Sequence, residues 1–147
     1  MTTALIQIIS GCIGTVGFGV LFNIRGKKLL FGGIGGFLSW TLYVVFSLFI
    51  SSEPFVYTLV SIATSIYAEI LAVKLKTPTT TFLIISLIPL IPGGSLYYTM
   101  AYALGGNLSD FISKAVSTLE LAAALSVGII LVLSVAKHIR IAKQPYK

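Results

Sequence analysis

The sequence predicts an all-α fold, a polytopic transmembrane helical protein with about five spans. Its 147 residues are 56% hydrophobic and only 10% charged, whereas soluble domains are about 25% charged. The apolar residues come in runs of roughly 20, the length that crosses ~30 Å of hydrocarbon. Because only short polar or charged stretches separate these runs, residues 1–147 are expected to form a single transmembrane domain.

The apolar runs can be placed in order along the chain. The predicted spans are Thr3–Asn23, Leu29–Ser52, Phe55–Val73, Thr79–Leu104 and Ala115–Ala136. Between the last two, Leu108–Lys114 is predicted to be a separate short interfacial helix. Small residues recur at helical spacing in several spans, which predicts close helix packing within the chain or between chains.

The basic residues stand where apolar runs end. If the loops alternate between the two sides of a membrane, nine Lys and Arg residues fall on one side and only Lys114 falls on the other. The positive-inside rule then puts the N-terminus outside and the C-terminus in the cytoplasm of a multi-pass inner-membrane protein. Since no basic stripe is interleaved with aromatic residues, the positive charge indicates a lipid bilayer as partner and no nucleic acid.

The fourth span is interrupted by the sequence PLIPGG. Pro89 and Pro92 have no N–H to donate, so a helix that enters this stretch must kink or stop. Gly93 and Gly94 permit a reversal of the backbone angles, and Ser95 is a candidate N-cap for a second short helix. This pattern is typical of a discontinuous membrane helix, with a gap near mid-membrane.

Backbone groups freed at such a gap can bind a small polar solute. The N–H groups that open the second half-helix favour an anion, and the carbonyls that end the first half-helix favour a cation. Two tyrosines that follow add hydroxyl groups and aromatic walls. The predicted substrate-binding residues are Pro89, Pro92, Gly93, Gly94, Ser95, Tyr97 and Tyr98. A Pro-kinked helix without a ligand is the alternative, because membrane helices tolerate Pro and Gly.

Glu69 is an acidic residue inside the third span, where a carboxyl group is costly and therefore indicates a function. Its helix face carries a polar stripe formed by Thr58, Ser61 and Ser65. Desolvation favours the neutral form of a carboxyl group, so Glu69 is a candidate for proton coupling. Alternatively, Glu69 reaches towards Lys74 or Lys76 at the end of the span.

Glu120 is the second intramembrane acid and a second candidate for proton coupling, near the outer end of the fifth span. An interfacial location of Glu120 or a pairing with Lys114 is the alternative interpretation. The chain has one cysteine, Cys12, and one histidine, and no cluster of residues has the spacing of a metal site or an active site. We therefore expect no metal, no cofactor and no enzymatic activity.

Two stretches carry a further pattern. One is GFGVLFNIRGKKLLFGGIGGFLSW, from Gly17 to Trp40, and the other is KTPTTTFLIISLIPLIPGGSLYYTM, from Lys76 to Met100. They resemble the threonine/serine exporter family, specifically its short C-terminal-half type, the YjjB-like proteins. The residues that fall on the family's patterns are Phe22 and Asn23 in the first stretch, and Pro89, Leu90, Pro92, Gly93 and Tyr97 in the second.

The resemblance implies export of threonine and serine, or of a short dicarboxylate such as succinate, driven by the proton gradient. It adds Asn23 to the predicted substrate-binding residues. It also implies a larger partner subunit, because full-length members join this half to an N-terminal membrane half that is absent here. The chain is thus predicted to be the small membrane subunit of a secondary exporter. A non-transporting scaffold subunit and a homo-oligomeric channel remain as alternatives.

Overall fold

The structure, a computed structural model, describes residues 2–142 as a series of helices without a strand in that range. A short 3₁₀ turn, Ile88–Leu90, lies between the fourth and fifth α-helices. The six α-helices are α1 Thr2–Leu21, α2 Lys27–Phe49, α3 Glu53–Lys74, α4 Thr79–Leu87, α5 Gly93–Leu104 and α6 Leu108–Ala142. The predicted all-α fold is confirmed.

The helices differ in whether their length suffices to cross a membrane. By length and apolar composition α2, α3 and α6 can each do so, and the bent pair formed by α4 and α5 is a fourth candidate. Residues Ile6–Leu21 of α1 form a shorter apolar helix. The predicted count of five spans is therefore approximate.

Glycines make the close contacts between the helices. A Cβ at Gly36 of α2 would collide with the side chain of Thr15 in α1, and one at Gly128 of α6 would collide with Ser61 in α3. Hydrophobic clusters fill the space between α3 and its neighbours on α2, α4 and α6. Gly36 and Gly128 therefore serve close helix packing within this one chain.

The basic residues gather at one end of the bundle, called the basic end. There the end of α1 meets the start of α2, and Glu69 near the end of α3 contacts both Thr79 of α4 and Arg140 of α6. The basic residues of this end are Arg25, Lys27, Lys28, Lys74, Lys76, Lys137 and Arg140. Two more basic residues of the predicted tail, Lys143 and Lys147, lie outside the described residues. The opposite end is called the Glu53 end.

Helix α6 corrects one prediction. Leu108–Lys114 is not a separate interfacial helix but the first part of a single 35-residue helix. Asn107 begins it, because its Oδ1 atom accepts a hydrogen bond from the Asp110 N–H at 3.3 Å. Nothing in the sequence that follows breaks a helix, since the charged residues of this stretch favour solvent or headgroups without interrupting the backbone.

The N-terminal part of α6 extends beyond the Glu53 end. Thr58, in the second turn of α3, donates a hydrogen bond to the Ala124 carbonyl of α6 at 3.2 Å. With 1.5 Å of rise per residue, the start of α6 therefore lies roughly 15 Å past the start of α3. Helix α5 packs against this part of α6, where the hydroxyl groups of Thr99 and Thr118 are 3.2 Å apart. We call residues 93–120 the α5–α6 hairpin.

Candidate functional site

The predicted break in the fourth span is present. Helix α4 ends at Leu87, and the segments Thr79–Leu90 and Gly93–Leu104 meet at an angle of 58°. Pro89 lies in the 3₁₀ turn, and Pro92 occupies the N-cap position of α5 with φ −74° and ψ 55°. Both prolines thus stand where a continuous helix would need an N–H donor.

The start of α5 differs from the prediction in two ways. Ser95 is not the N-cap but lies inside the first turn of α5, where its carbonyl accepts a hydrogen bond from Thr99 Oγ1 at 2.8 Å. Gly93 and Gly94 do not reverse the chain, because neither has a positive φ. The fixed φ of Pro92 starts the helix three residues earlier than a serine cap at Ser95 would.

The backbone at the break has two free amide groups. The Gly93 N–H donates to the Ile91 carbonyl at 2.6 Å, and the Leu96 N–H donates to the Pro92 carbonyl at 3.0 Å. The N–H groups of Gly94 and Ser95 have no acceptor among the described residues. A Cβ added at Gly94 would meet no atom within 4 Å, so this part of the helix start is open.

The other side of the break is packed. A Cβ at Gly11 of α1 would lie 3.5 Å from Pro89 Cβ and 3.7 Å from the Trp40 side chain. Leu90 is fully buried in a cluster with residues of the first two turns of α3, including Val56 and Val60. The break therefore lies beside the middle of α1 but close to the Glu53 end of α3.

Tyr97 and Tyr98 lie on the open side. Their side chains are 66% and 52% exposed, and their rings meet edge to face with centroids 5.5 Å apart. The ring of Tyr102 continues this aromatic surface one turn further along α5. The tyrosines thus form one exposed aromatic surface that follows the free amides along α5. Among the described residues, no helix covers this surface.

Asn23 is separated from the break. It adopts a left-handed conformation with φ 57° and follows the end of α1. The Asn23 N–H donates to the Val20 carbonyl and the Ile24 N–H donates to the Gly19 carbonyl, the pattern of a Schellman helix end. Gly11 lies against the break, and the 12 residues from Gly11 to Asn23 span about 18 Å of helix. The structure therefore gives Asn23 the role of ending α1.

Glu69 is held at the basic end by two other helices. Its Oε2 atom accepts a hydrogen bond from Thr79 Oγ1 at 2.8 Å and forms an ion pair with Arg140. The Glu69 side chain is 14% exposed, whereas that of Arg140 is 55% exposed. The expected partners Lys74 and Lys76 are thus replaced by Arg140, which lies 71 residues away and shares no spacing pattern with Glu69.

A cavity of about 290 Å³ adjoins this ion pair. Its walls come from α3, α4 and α6, so it opens where the start of the broken segment meets the end of the long helix. The lining residues are Glu69, Thr79, Leu133, Lys137, Arg140 and Ile141. This cavity could not be predicted from the sequence, because its residues come from three helices, α3, α4 and α6, and only the packing of these helices brings them together.

The polar stripe of α3 is buried rather than open. Ser61 donates to the Thr58 carbonyl at 2.9 Å, and both residues lie against α6. Ser65 and Thr64 are fully buried, and their hydroxyl groups have no partner among the described residues. The stripe therefore forms part of the contact between helices in this conformation.

Glu120 lies far from Glu69. It is exposed on α6 near the Glu53 end, and among the described residues it forms no ion pair with Lys114 or any other residue. The 20 residues from Glu120 to Arg140 span about 30 Å of helix, and Arg140 contacts Glu69. The two acids therefore cannot exchange a proton directly.

These features define a polytopic α-helical membrane protein with an acid held at one end and with a broken helix, and broken helices are typical of secondary transporters. The family described as Threonine/Serine exporter, ThrE, matches residues 7–135. Because this match covers most of the chain, the chain belongs to the threonine/serine exporter family, a family of transporters. Comparisons with curated proteins and with solved structures give no match.

Proposed function

We propose that this chain is the small membrane subunit of a secondary exporter that moves threonine and serine, or a short dicarboxylate such as succinate, out of the cell. Membership of the exporter family over residues 7–135 carries the proposal. The broken helix supports it, because a half-helix that starts inside an apolar segment offers backbone charge to a substrate.

The solute is proposed to bind on the open side of the break. Gly94 and Ser95 offer free amides there, which suit a carboxylate, while Tyr97 and Tyr98 add hydroxyl groups. Pro89 is packed on Gly11 and Trp40, and this packing supports its role as the fixed side of the site.

A larger membrane subunit is the proposed partner on this open side. Helix α5 packs on α6 and leaves the rest of its surface uncovered. The apolar residues exposed on the α5–α6 hairpin are Leu96, Met100, Leu104, Leu108, Ile112, Val116 and Leu119. Exposed apolar residues in such number mark an interaction with lipid or protein, and a second protein wall would complete the site at the break.

Glu69 is proposed to couple transport to protons. Its carboxylate binds Thr79, the first residue of the broken segment, and Arg140 near the end of α6. Protonation would remove the negative charge that holds Arg140 and so loosen α6 from α4. Glu120, at the Glu53 end, is proposed as a second proton-coupling residue at the outer mouth, with the basic end in the cytoplasm.

Flux in proteoliposomes tests this function. Labelled threonine, serine and succinate are compared in vesicles that hold this chain, the product of the neighbouring gene, or both, with and without a pH gradient. We expect flux only when both chains are present and the gradient is imposed. Flux through this chain alone without a gradient would instead indicate a channel, and full flux through the neighbour alone would make this chain a scaffold.

A further inference from the structure

The cavity at the basic end combines both signs of charge with a hydroxyl group. Lys137 and Arg140 supply two positive charges, Glu69 supplies one negative charge, and Thr79 Oγ1 donates to the Glu69 carboxylate. Leu133 and Ile141 form its apolar wall. At about 290 Å³ the cavity lies at the lower limit of ligand pockets, which measure about 300–1,000 Å³ and take small molecules.

Arg140 and Glu69 already form a pair within this cavity, so the remaining positive charge belongs to Lys137. Lys137 forms no ion pair with a described residue. Glu69 is mostly buried, and a carboxylate has lone pairs for several donors. Among the described residues that line the cavity, Lys137 is therefore a cation free to bind an anion, and Glu69 is a carboxylate that can accept a further N–H donor.

We infer that this cavity is a binding site for an amino acid in its zwitterionic form, placed at the end of the bundle where a solute enters before it reaches the break. The solute carboxylate binds Lys137, its ammonium group binds the Glu69 carboxylate beside Arg140, and the small side chain faces Leu133 and Ile141. The 10 residues from Thr79 to Pro89 put the cavity about 15 Å from the break. This inference rests on the proposed export function, in which the solute moves from the basic end towards the break.

The same charges disfavour a dicarboxylate. Together with Glu69, the two carboxylates of a dicarboxylate would set three negative charges against the two positive charges of Lys137 and Arg140, so the carboxylates would have to share their partners. A largely buried carboxylate without a partner is strongly unfavourable. With a zwitterion, every charge at the site keeps a partner of opposite sign, so the cavity favours an amino acid over a dicarboxylate such as succinate.

Cysteine protection tests the site in this chain alone. Cys12 is replaced by alanine, and Ile141→Cys then places a thiol at the wall of the cavity. Ile139→Cys is the matched control, since Ile139 is similarly exposed on α6 but lines a second, mostly apolar groove between α3 and α6, which borders Glu69 and contains neither Lys137 nor Arg140. The rate of modification by a small thiol reagent is measured on the purified chain in nanodiscs, with threonine, succinate, N-acetylthreonine or threoninol added.

We expect threonine to slow modification of Ile141→Cys by about tenfold at ten times its dissociation constant, and to leave Ile139→Cys unchanged. Succinate, N-acetylthreonine, which lacks the ammonium group, and threoninol, which lacks the carboxylate, should protect far less. Glu69→Gln and Lys137→Gln, each checked for native helix content, should each abolish the protection by threonine.

Two results would overturn the inference: no protection by threonine up to its solubility limit, or equal protection by succinate. Protection that survives both Glu69→Gln and Lys137→Gln would contradict the assigned contacts. Because this assay measures binding without flux, its failure is distinguishable from a failure of the proteoliposome experiment. Flux with normal coupling and no protection would leave the exporter function in place and remove only this site.

Discussion

The break between α4 and α5 and the ion pair at the basic end differ in how far this chain encloses them. At the break, Tyr97 is 66% exposed and the amides of Gly94 and Ser95 have no acceptor among the described residues. At the basic end, three helices meet around Glu69, which is only 14% exposed and bound by two side chains.

This difference separates two kinds of chemistry. The break offers backbone groups, which depend on where a helix starts and need a second wall to become selective. The basic end offers side-chain charges that the fold of this one chain brings together. In the proposed transporter, the second region is complete in the small subunit and the first is shared with its partner.

The largest expected effect is on proton coupling. Glu69→Gln keeps an acceptor for Thr79 but cannot change charge, so flux with both chains present should become independent of the pH gradient. The matched variant is Glu120→Gln, which alters an exposed residue about 30 Å away and should reduce coupling less. Gradient-dependent flux that survives in Glu69→Gln would remove the coupling role of this residue.

A smaller effect is expected on stability at the basic end. Arg140→Gln removes the ion-pair partner of Glu69, and because Arg140 is half exposed we expect a loss of about 1 kcal/mol in the free energy of unfolding. Unfolding in detergent mixtures measures this loss. Lys137→Gln, which breaks no ion pair, should leave the stability unchanged, and an equal loss in both variants would show that the pair adds no stability.

The smallest expected effect is a loss of stability at Asn23, and it tests whether this residue ends α1 or belongs to the substrate site at the break. Because Asn23 adopts φ 57°, Asn23→Ala should cost about 1 kcal/mol of stability through left-handed strain, whereas Asn23→Gly should cost much less. Both variants should bind and transport solute normally once folded. Loss of transport in the stable Asn23→Gly variant would return Asn23 to the substrate site.

Local sequence was sufficient to predict the break, because Pro89 and Pro92 act on the backbone of their own helix. It was insufficient for the Glu69 contact, since Arg140 lies 71 residues away and only the packing of α3 on α6 brings the two together. The expected partners Lys74 and Lys76 were nearer in sequence. Lys76 lies beyond the end of α3 and has a positive φ, so it does not continue the helix that carries Glu69.

The course of the chain after the break was also predicted only in part. The charged residues Asp110 and Lys114 indicate a membrane interface, so the sequence predicts a separate short helix over Leu108–Lys114 and a span that begins at Ala115. Charge does not end a helix, however, and the next strong stop after Asn107 lies beyond Ala142. Because α6 is continuous from Leu108, its first part extends past the Glu53 end and packs on α5, which forms the α5–α6 hairpin. Hydropathy alone does not predict this hairpin.

In the proposed transporter, the break between α4 and α5 is itself required for transport, rather than the packing around it. Pro92→Ala combined with Gly93→Ala removes residues that disfavour a helix interior by about 3 and 1 kcal/mol respectively, while Pro89 keeps its contacts with Gly11 and Trp40. Gly17→Ala, at a glycine with open space around it, is the control. Flux in proteoliposomes with both chains should fall at least about tenfold in the double variant, equivalent to about 1.4 kcal/mol, with normal membrane insertion. Flux equal to that of the control would contradict the claim and reduce the break to a kink.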